Sequence, residues 1–578
     1  MKPSVIGVAG AGTMGAGIAQ LGCAAGMRTL LHDPLPEALE HGVERVQAGL
    51  AKWSEKGRVS GGSAALLEPT ESLDGLGACE LVIEAAPERS ELKHELFERL
   101  CQVCGPDTVL ATNTSSIPVT TLARATARPE NVVGMHFFNP PPLMRLLEVI
   151  RADQTGEHAL AVARATGEAM GKDVIVAADG PGFLVNRCGR PFAAEGLRLL
   201  QERVATHEQI DRICRLGGGF RMGPFELMDL VGIDVGFEVA KSFTELSFGE
   251  PRWRPSPIQA RMVAAGRLGR KSGRGYYEYA GEAPYRPDDP DPIAPGGGEG
   301  RTVLVAGGGA LAKQLRERAR AAGFTVREES ELAAEAPAIM VDATIPSRTR
   351  SIAPAPTEVD PAGIAGVSAG TRPAGVPAGR VGEPSAETEQ ADAAKAPASG
   401  VAAASPGPAE APAGSLAEAP VLPVQLCACA DRSLSARGEP HAVGFQLLPP
   451  LDGVRLVELT RLPSAPAEAA AAAEGFFRAL GFHPEWVQDA PGLVLGRIVC
   501  QLVNEAWFAI GEGVGSADDV DTGLTLGLSH PRGAVAWGEA IGLEHVLAVL
   551  DGLWEERREE RYRVAPLLRR EVMMRATR

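Results

Sequence analysis

A chain of 578 residues is too long for one hydrophobic core and implies roughly three to five domains. An apolar fraction of 45% with a formal charge of -16 describes a globular chain, and excludes nucleic acid or an anionic membrane as its main partner. Nine cysteines without regular spacing read as reduced thiols; Cys101 and Cys104 form the only C-x-x-C, no second pair accompanies them, and no metal is expected.

The chain opens on a strand pattern, Ser4 to Ala9, that runs at once into Gly10-Ala11-Gly12-Thr13-Met14-Gly15 and a small-residue helix, Ala16 to Ala25. Strand, glycine turn and helix make a dinucleotide fingerprint. Gly10 permits the tight turn, Gly12 lets backbone approach a pyrophosphate, Gly15 lets helix and strand pack closely, and the helix N-terminus faces the negative charge. A second strand ends in Asp33, 18 positions beyond Gly15. A carboxylate there accepts hydrogen bonds from a ribose diol and repels a 2′-phosphate, so NAD is expected rather than NADP. No leader pattern precedes the first strand and no apolar run reaches the ~20 residues of a membrane span, which makes the cytoplasm the expected location.

Helical spacing from Pro36 to Glu55 carries Lys52 and Lys56, with Arg58 just beyond; charge alone suggests a solvated face. Next come a strand ending near Glu88, a helix from Ser90 carrying Lys93, and a strand that delivers Asn113-Thr114-Ser115-Ser116. From Val132 to Ile150 the pattern is strand, turn at Asn139-Pro140-Pro141-Pro142, strand, which returns Glu148 to the side of His136. Strand ends are where an open α/β sheet places its ligand, so Asp33, Glu88, Ser115 and His136 fall on one rim. Ser115 serves equally well as a turn cap. A lone histidine at a strand end is more often a structural residue. Beside Glu148 it is a poised proton acceptor, because the acid fixes the tautomer and stabilises the imidazolium. From Asp179 the texture turns helical, with Asn186 at the start of the first long helix and a glycine-rich basic turn around Lys271.

The segments GAGTMG, NTSS, GMHFFNPPPLMRLLEV, GPGFLVNR and GRKSGRGYY together resemble the L-3-hydroxyacyl-CoA dehydrogenase family across residues 1–280. That resemblance implies His136 as catalytic base and Glu148 as its orienting partner, with Ser115 and Asn186 hydrogen-bonding the reacting end of the substrate. On the cofactor side it implies Gly10, Ala11, Gly12, Thr13, Met14, Gly15, Asp33, Glu88, Lys93, Ser115, Asn139 and Lys271. It also makes Lys56 a candidate contact for coenzyme A phosphates, while Gly49 stands where the family often has a serine.

After Tyr279 the composition becomes that of a linker, and from Arg301 the opening repeats: Gly307 and Gly309 align with Gly10 and Gly12, but Ala312 stands for Gly15. The strand after it offers Glu328 and Glu329, with Ser330 at the place of Asp33. Adding 310 to a residue number from Val133 to Gly232 lands on its counterpart without gaps: Pro140 on Pro450, Arg187 on Arg497, Glu195 on Glu505. Under that rule Glu148 becomes Glu458, but His136 becomes Gln446 and Asn186 becomes Gly496. Glutamine cannot hold the proton and glycine offers no side-chain hydrogen bond, so the copy is expected to fold like the first unit and not to catalyse. Residues 351–420 hold 11 prolines and no aromatic residue, the composition of a disordered insertion that replaces much of the region carrying Glu88 and Ser115 in the first unit.

The expected fold is an α/β Rossmann dinucleotide-binding domain plus an all-α C-terminal domain, followed by a degenerate second copy of the same pair. Its divisions fall at 1–182 (NAD-binding), 183–282 (helical), 283–300 (linker), 301–350 with 421–486 (degenerate Rossmann-like), 351–420 (insertion) and 487–578 (second helical). The two-copy layout resembles the two-unit bacterial 3-hydroxyadipyl-CoA and 3-hydroxybutyryl-CoA enzymes, and the helical end of the second copy, from PGLVLGRIVCQLVNEAWFAIGEGV to REERYRVAPLLRRE, looks closest to those of phenylacetate breakdown. The function implied is NAD-dependent oxidation of a (3S)-hydroxyacyl-CoA, in fatty-acid or aromatic degradation. The alternative is a non-catalytic NAD- or acyl-CoA-binding regulatory protein. The expected partners are an acyl-CoA substrate and either a second chain, in a homodimer, or the chain's own second helical region in an internal pseudo-dimer.

Overall fold

The computed structural model describes residues 2–60, 62–281, 284–327, 337–344 and 424–577. The expected acids Glu328 and Glu329, Ser330 and the insertion at 351–420 lie outside these residues.

Short, mostly apolar runs give eight strands in the first unit: β1 (Val5–Ala9), β2 (Arg28–His32), β3 (Leu67–Thr70), β4 (Leu81–Glu84), β5 (Val109–Thr112), β6 (Val132–Phe137), β7 (Leu146–Arg151) and β8 (Asp173–Ala178). They form one sheet in the order β3-β2-β1-β4-β5-β6-β7-β8, parallel from β3 to β6, with β7 and β8 reversed. The order reverses between β1 and β4, which opens a crevice at their C-terminal ends. The strand expected to end near Glu88 stops at Glu84, because the Glu84 carboxylate accepts the Ala86 N–H at 2.7 Å and turns the chain out of the sheet. The helix expected from Ala16 begins three residues earlier, at Thr13.

The second unit repeats the plan with β9 (Thr302–Ala306), β10 (Thr325–Arg327), β11 (Ile339–Asp342), β12 (Val424–Ala428), β13 (Val443–Gln446), β14 (Leu456–Arg461) and β15 (His483–Trp486), in the order β10-β9-β11-β12-β13-β14-β15. β13 pairs antiparallel with β14, and Gln446 faces Glu458 as His136 faces Glu148. One expectation is corrected here. The strand that delivers Ser115 is not replaced by the insertion: Ala111 pairs with Val133 in β5 and Leu426 with Val443 in β12, which puts Ala430 at the position of Ser115. Asp342 ends β11 as Glu84 ends β4, accepting the Thr344 N–H at 2.9 Å.

Residues 284–300 have no helix or strand, as expected of a linker, but they are pinned to both units. Arg215 holds Asp289 at 2.7 Å, Asp291 O accepts from His483 at 2.7 Å, and the Gly296 N–H donates to Ala479 O at 2.9 Å. Pro and Gly here describe an anchored tether, because its polar backbone finds partners on the surfaces it crosses.

The two helical regions share one hydrophobic core within the chain. Its centre is the second unit's helix Leu495–Gly511, which buries 14 of its 17 residues, packed between the equivalent helix Val185–Gln201 and the helices of its own unit. The contact is reciprocal. Arg187 reaches Glu505 at 2.8 Å and Glu512 at 2.7 Å, while Arg497 reaches Glu195 at 2.9 Å and Glu202 at 2.7 Å, the same pairs with the roles of the units exchanged. Ala178 N–H donates to Val514 O and Gln488 N–H to Val204 O, both at 2.8 Å, in the same 310-residue relation. The internal pairing expected of the two helical regions is therefore present in one chain. No helix among the described residues is long and apolar enough to cross a membrane.

Candidate active site

Tight glycine geometry shapes the nucleotide end of the crevice. Gly10 has φ +114°, and a Cβ there would sit 2.6 Å from Ala85 O; one on Gly15 would sit 1.8 Å from Gly10 O. Only glycine allows loop, helix and β4 to approach this closely. At Gly12, by contrast, nothing lies within 4 Å of the Cβ position, so open space faces the uncapped start of the helix Thr13–Ala24. Asp33, at the end of β2, accepts the Ala11 N–H at 2.9 Å and is half-buried at the loop. Open backbone, a helix N-terminus and a carboxylate beside the loop suit an adenine dinucleotide without a 2′-phosphate.

Farther along the sheet lies a cleft of about 370 Å³ that brings together Met14, Glu88, Lys93, Ser115, His136, Asn139 and Asn186. The antiparallel register of β6 and β7 sets His136 opposite Glu148, and Nδ1 lies 3.0 Å from Glu148 Oε2. A carboxylate acceptor keeps the proton on Nδ1 and leaves Nε2 as a proton acceptor. Glu148 Oε1 accepts the N–H groups of Leu184 and Val185 at 2.8 and 3.1 Å, and so fastens the start of the helix that carries Asn186. One buried carboxylate thus fixes both the imidazole and the amide. Phe138 and Phe183 wall the ring, with centroids 4.7 and 5.9 Å away.

Glu88 caps the Asn113–Ser116 turn, accepting the Thr114 hydroxyl at 2.5 Å and the Ser115 N–H at 3.0 Å. Burial works against that carboxylate, but Lys93 at 3.1 Å and the hydrogen bonds from Thr114 and Ser115 hold its pKa below the usual value. The turn is capped by Glu88 and by the Thr114 hydroxyl, which accepts from the Ile117 N–H at 3.0 Å, so the Ser115 hydroxyl is not spent on capping.

Three residues were missed in the sequence. Glu84 is fully buried and binds Lys93 through both oxygens, at 2.7 and 2.9 Å; an acid ending an apolar strand nine positions before a lysine was its signal. Asn113 accepts the Phe137 N–H at 2.8 Å and ties β5 to β6 beside the imidazole. Leu528, from the second unit, also lines the cleft. It rests on Gly189, where a Cβ would meet it at 2.2 Å, and its counterpart in the first unit is Gly218. Of the expected residues, Lys271 and Lys56 lie outside the cleft's lining, as do Gly10 to Thr13, Gly15, Asp33 and Glu148. Lys271 pairs with Asp234 at 2.6 Å, and Lys56 sits exposed at the end of the helix Pro36–Glu55. Gly49 faces Gln20, whose Oε1 would lie 2.2 Å from a Cβ there.

In the second unit the same corner is closed. A Cβ on Gly496 would lie 2.4 Å from Gln446 Nε2, so the glutamine occupies the space that Asn186 fills in the first unit. Arg316 covers the glycine turn, donating to Gly307 O at 2.5 Å and Val305 O at 3.0 Å. Burial pushes the Glu458 carboxyl up to about 8, against hydrogen bonds from Leu495 and Val494. Because its folded pKa lies above the unfolded value of 4.5, the folded chain keeps a proton that the unfolded chain releases, and stability falls as pH rises between those values. Glu458→Gln is therefore expected to gain in unfolding midpoint relative to the parent from pH 5 to pH 8. Denaturation profiles that run parallel across that range would show Glu458 to be ionised.

The profile of the 3-hydroxyacyl-CoA dehydrogenase NAD binding domain matches residues 5–180, and that of the 3-hydroxyacyl-CoA dehydrogenase C-terminal domain matches 182–279 and again 492–577. A 3-hydroxyadipyl-CoA dehydrogenase of Escherichia coli K12 is 30% identical over 573 residues, covering 98% of this chain and 97% of that protein. A probable 3-hydroxybutyryl-CoA dehydrogenase of Deinococcus radiodurans is 41% identical over 276 residues, covering 47% of this chain and 99% of that protein. The crystal structure of a 3-hydroxybutyryl-CoA dehydrogenase from Escherichia coli K12 superposes with a TM-score of 0.73 at 28% identity, covering both chains completely.

Proposed function

The chain belongs to the 3-hydroxyacyl-CoA dehydrogenase family of NAD-dependent enzymes, and from that premise we propose that its first unit oxidises (3S)-3-hydroxyacyl-CoA to 3-oxoacyl-CoA with His136 as general base. The observation that carries this reading is the His136–Glu148 contact in the cleft that also holds Ser115 and Asn186. NAD, when bound, supplies the acceptor for the hydride that leaves C3.

His136 Nε2 takes the proton of the 3-hydroxyl while Glu148 stabilises the imidazolium. Ser115 and Asn186 donate hydrogen bonds to the oxygen as it becomes a carbonyl, an interaction that strengthens toward the transition state. In the reverse direction the imidazolium returns the proton to that oxygen. Gly12, the start of the helix Thr13–Ala24 and Asp33 would hold the pyrophosphate and ribose. The second unit has Gln446, Gly496 and Ala430 at the places of His136, Asn186 and Ser115, and its part is to support the first. The catabolic setting proposed is fatty-acid or aromatic breakdown, on the resemblance of the two-unit sequence alone.

The test is nicotinamide absorbance with (3S)-hydroxyacyl-CoA substrates from four to sixteen carbons. NADH formation is expected, and its absence across the whole series would favour a binding protein without catalysis. Leu528→Ala is expected to raise kcat/KM several-fold for longer chains relative to the four-carbon one, since removing a buried leucine's methyl groups opens the cleft wall. An unchanged chain-length profile would show that Leu528 does not meet the acyl chain.

A further inference from the structure

The helix that presents Asn186 continues with the same face, through Arg190, Ala193, Leu197 and Gln201, into a second cavity of about 110 Å³ that the proposed reaction does not use. Four arginines line it, Arg190, Arg198, Arg254 and Arg561, and among its described lining residues none is acidic. In a chain of net charge -16, such a concentration of positive charge is unusual.

The arginines differ in what holds them. Arg198 and Arg561 share Glu559, which lies 3.2 Å from Arg561. Arg190 has no ion pair among the described residues. Its guanidinium lies 4.7 Å over the Phe243 ring, its buried Nε has no hydrogen-bond partner, and burial draws its pKa down to about 10. Arg254, at the exposed mouth, has no ion pair among the described residues either. The helix Pro257–Ala264 begins at the cavity, with Ser256 capping its Ile258 N–H at 3.2 Å, and so adds the positive end of its dipole. A guanidinium whose buried Nε has no partner and whose charge has no counter-ion leaves an unmet charge that an anionic ligand would complete. A guanidinium fork matches a carboxylate or phosphate in two parallel hydrogen bonds.

We propose that this cavity is a binding site for an oxyanion, the carboxylate or phosphate group of a small acidic ligand, with Arg190 as its bidentate partner and Arg254 closing the mouth. Arg190 lies one helical turn from Asn186, about 6 Å along the helix. One source is therefore the far end of the substrate, a 3-hydroxyacyl-CoA with a terminal carboxylate, and that arm rests on the reading of the cleft given above. The other source is a free small acid or inorganic phosphate, and that arm does not.

The experiment uses the full chain and its Arg190→Gln and Arg254→Gln variants. It measures kcat/KM on (3S)-hydroxybutyryl-CoA and on the six-carbon substrate ending in a carboxylate, and the melting shift with phosphate and with adipate. If the substrate supplies the anion, Arg190→Gln lowers kcat/KM for the carboxylated substrate roughly ten- to hundred-fold, as for a lost charged hydrogen bond. It then leaves the four-carbon substrate within about two-fold, and Arg254→Gln shows a smaller loss of the same sign. If the source is free, selectivity stays constant, while phosphate or adipate raises the melting temperature of the parent and not of Arg190→Gln; this arm decides even if the parent forms no NADH. Should Arg190→Gln fail to fold, Arg254→Gln decides alone, by a shift of selectivity or of anion stabilisation. Unaltered selectivity together with no anion-dependent stabilisation overturns the site.

Discussion

Replacing His136 by Gln is expected to lower turnover by roughly 10² to 10⁴, the usual cost of removing a general base, with NAD affinity held within a few-fold. Glutamine keeps a hydrogen-bonding group of similar size and loses only the ability to hold a proton at neutral pH. The second unit already carries this substitution: Gln446 faces Glu458 in the register in which His136 faces Glu148, and neither atom of its buried amide has a hydrogen-bond partner among the described residues. There the side chain turns into the room left by Gly496, a retreat that Asn186 blocks in the first unit. The glycine loop and Asp33 lie apart from the change, so NADH binding, followed by fluorescence, isolates the chemical step. Turnover equal to the parent in this variant would end the assignment of His136 as base and leave the fold and family untouched.

Periodicity carried most of the architecture. The strand-turn-strand from Val132 to Ile150 is written in an apolar run broken by three prolines, so the approach of Glu148 to His136 followed from the length of the turn. The second copy was visible because register survives where side chains do not: Arg187 with Arg497 and Glu195 with Glu505 keep their spacing while the catalytic positions change. That those four residues pair crosswise was not visible, since no local pattern says which helix faces which. The same limit hid Leu528, whose part in the cleft depends on packing between units more than 300 residues apart, and the anchoring of residues 284–300, where composition suggested a loose linker. The strand read as ending near Glu88 stops at Glu84, since no local pattern shows that this acid is buried against Lys93 and turns the chain there.

Arg497→Met, in the unit without the catalytic histidine, is expected to destabilise the whole chain by about 3–5 kcal/mol, the cost of stranding buried partners of an ion pair. Arg497 is fully buried; its guanidinium satisfies Glu195 and Glu202 of the first unit and the Tyr562 hydroxyl at 2.5 Å. Methionine fills much of the volume but leaves the buried Glu195 with only the Tyr562 hydroxyl at 3.3 Å and Arg561 at 3.8 Å, and Glu202 with Arg557 at 3.1 Å and Arg198 at 3.9 Å. Loss of activity should therefore track loss of stability, with KM little changed in the fraction still folded. Adding Glu195→Gln and Glu202→Gln removes the stranded charges and is expected to return much of the stability, since charge and not volume is what the single variant upsets. The same logic applies to a chain cut after residue 282, which leaves Arg187 without Glu505 and Glu512. Relatives matched over nearly their whole length by 276 residues of this chain consist of one unit, so a fragment of that length is expected to associate with a second copy and rebuild the crossed pairs, Arg187 of each chain reaching Glu195 and Glu202 of the other. Sedimentation would report a dimer. A fragment that stays monomeric, soluble and fully active would mean that the second unit is not a built-in partner, and that its buried arginine serves only its own folding.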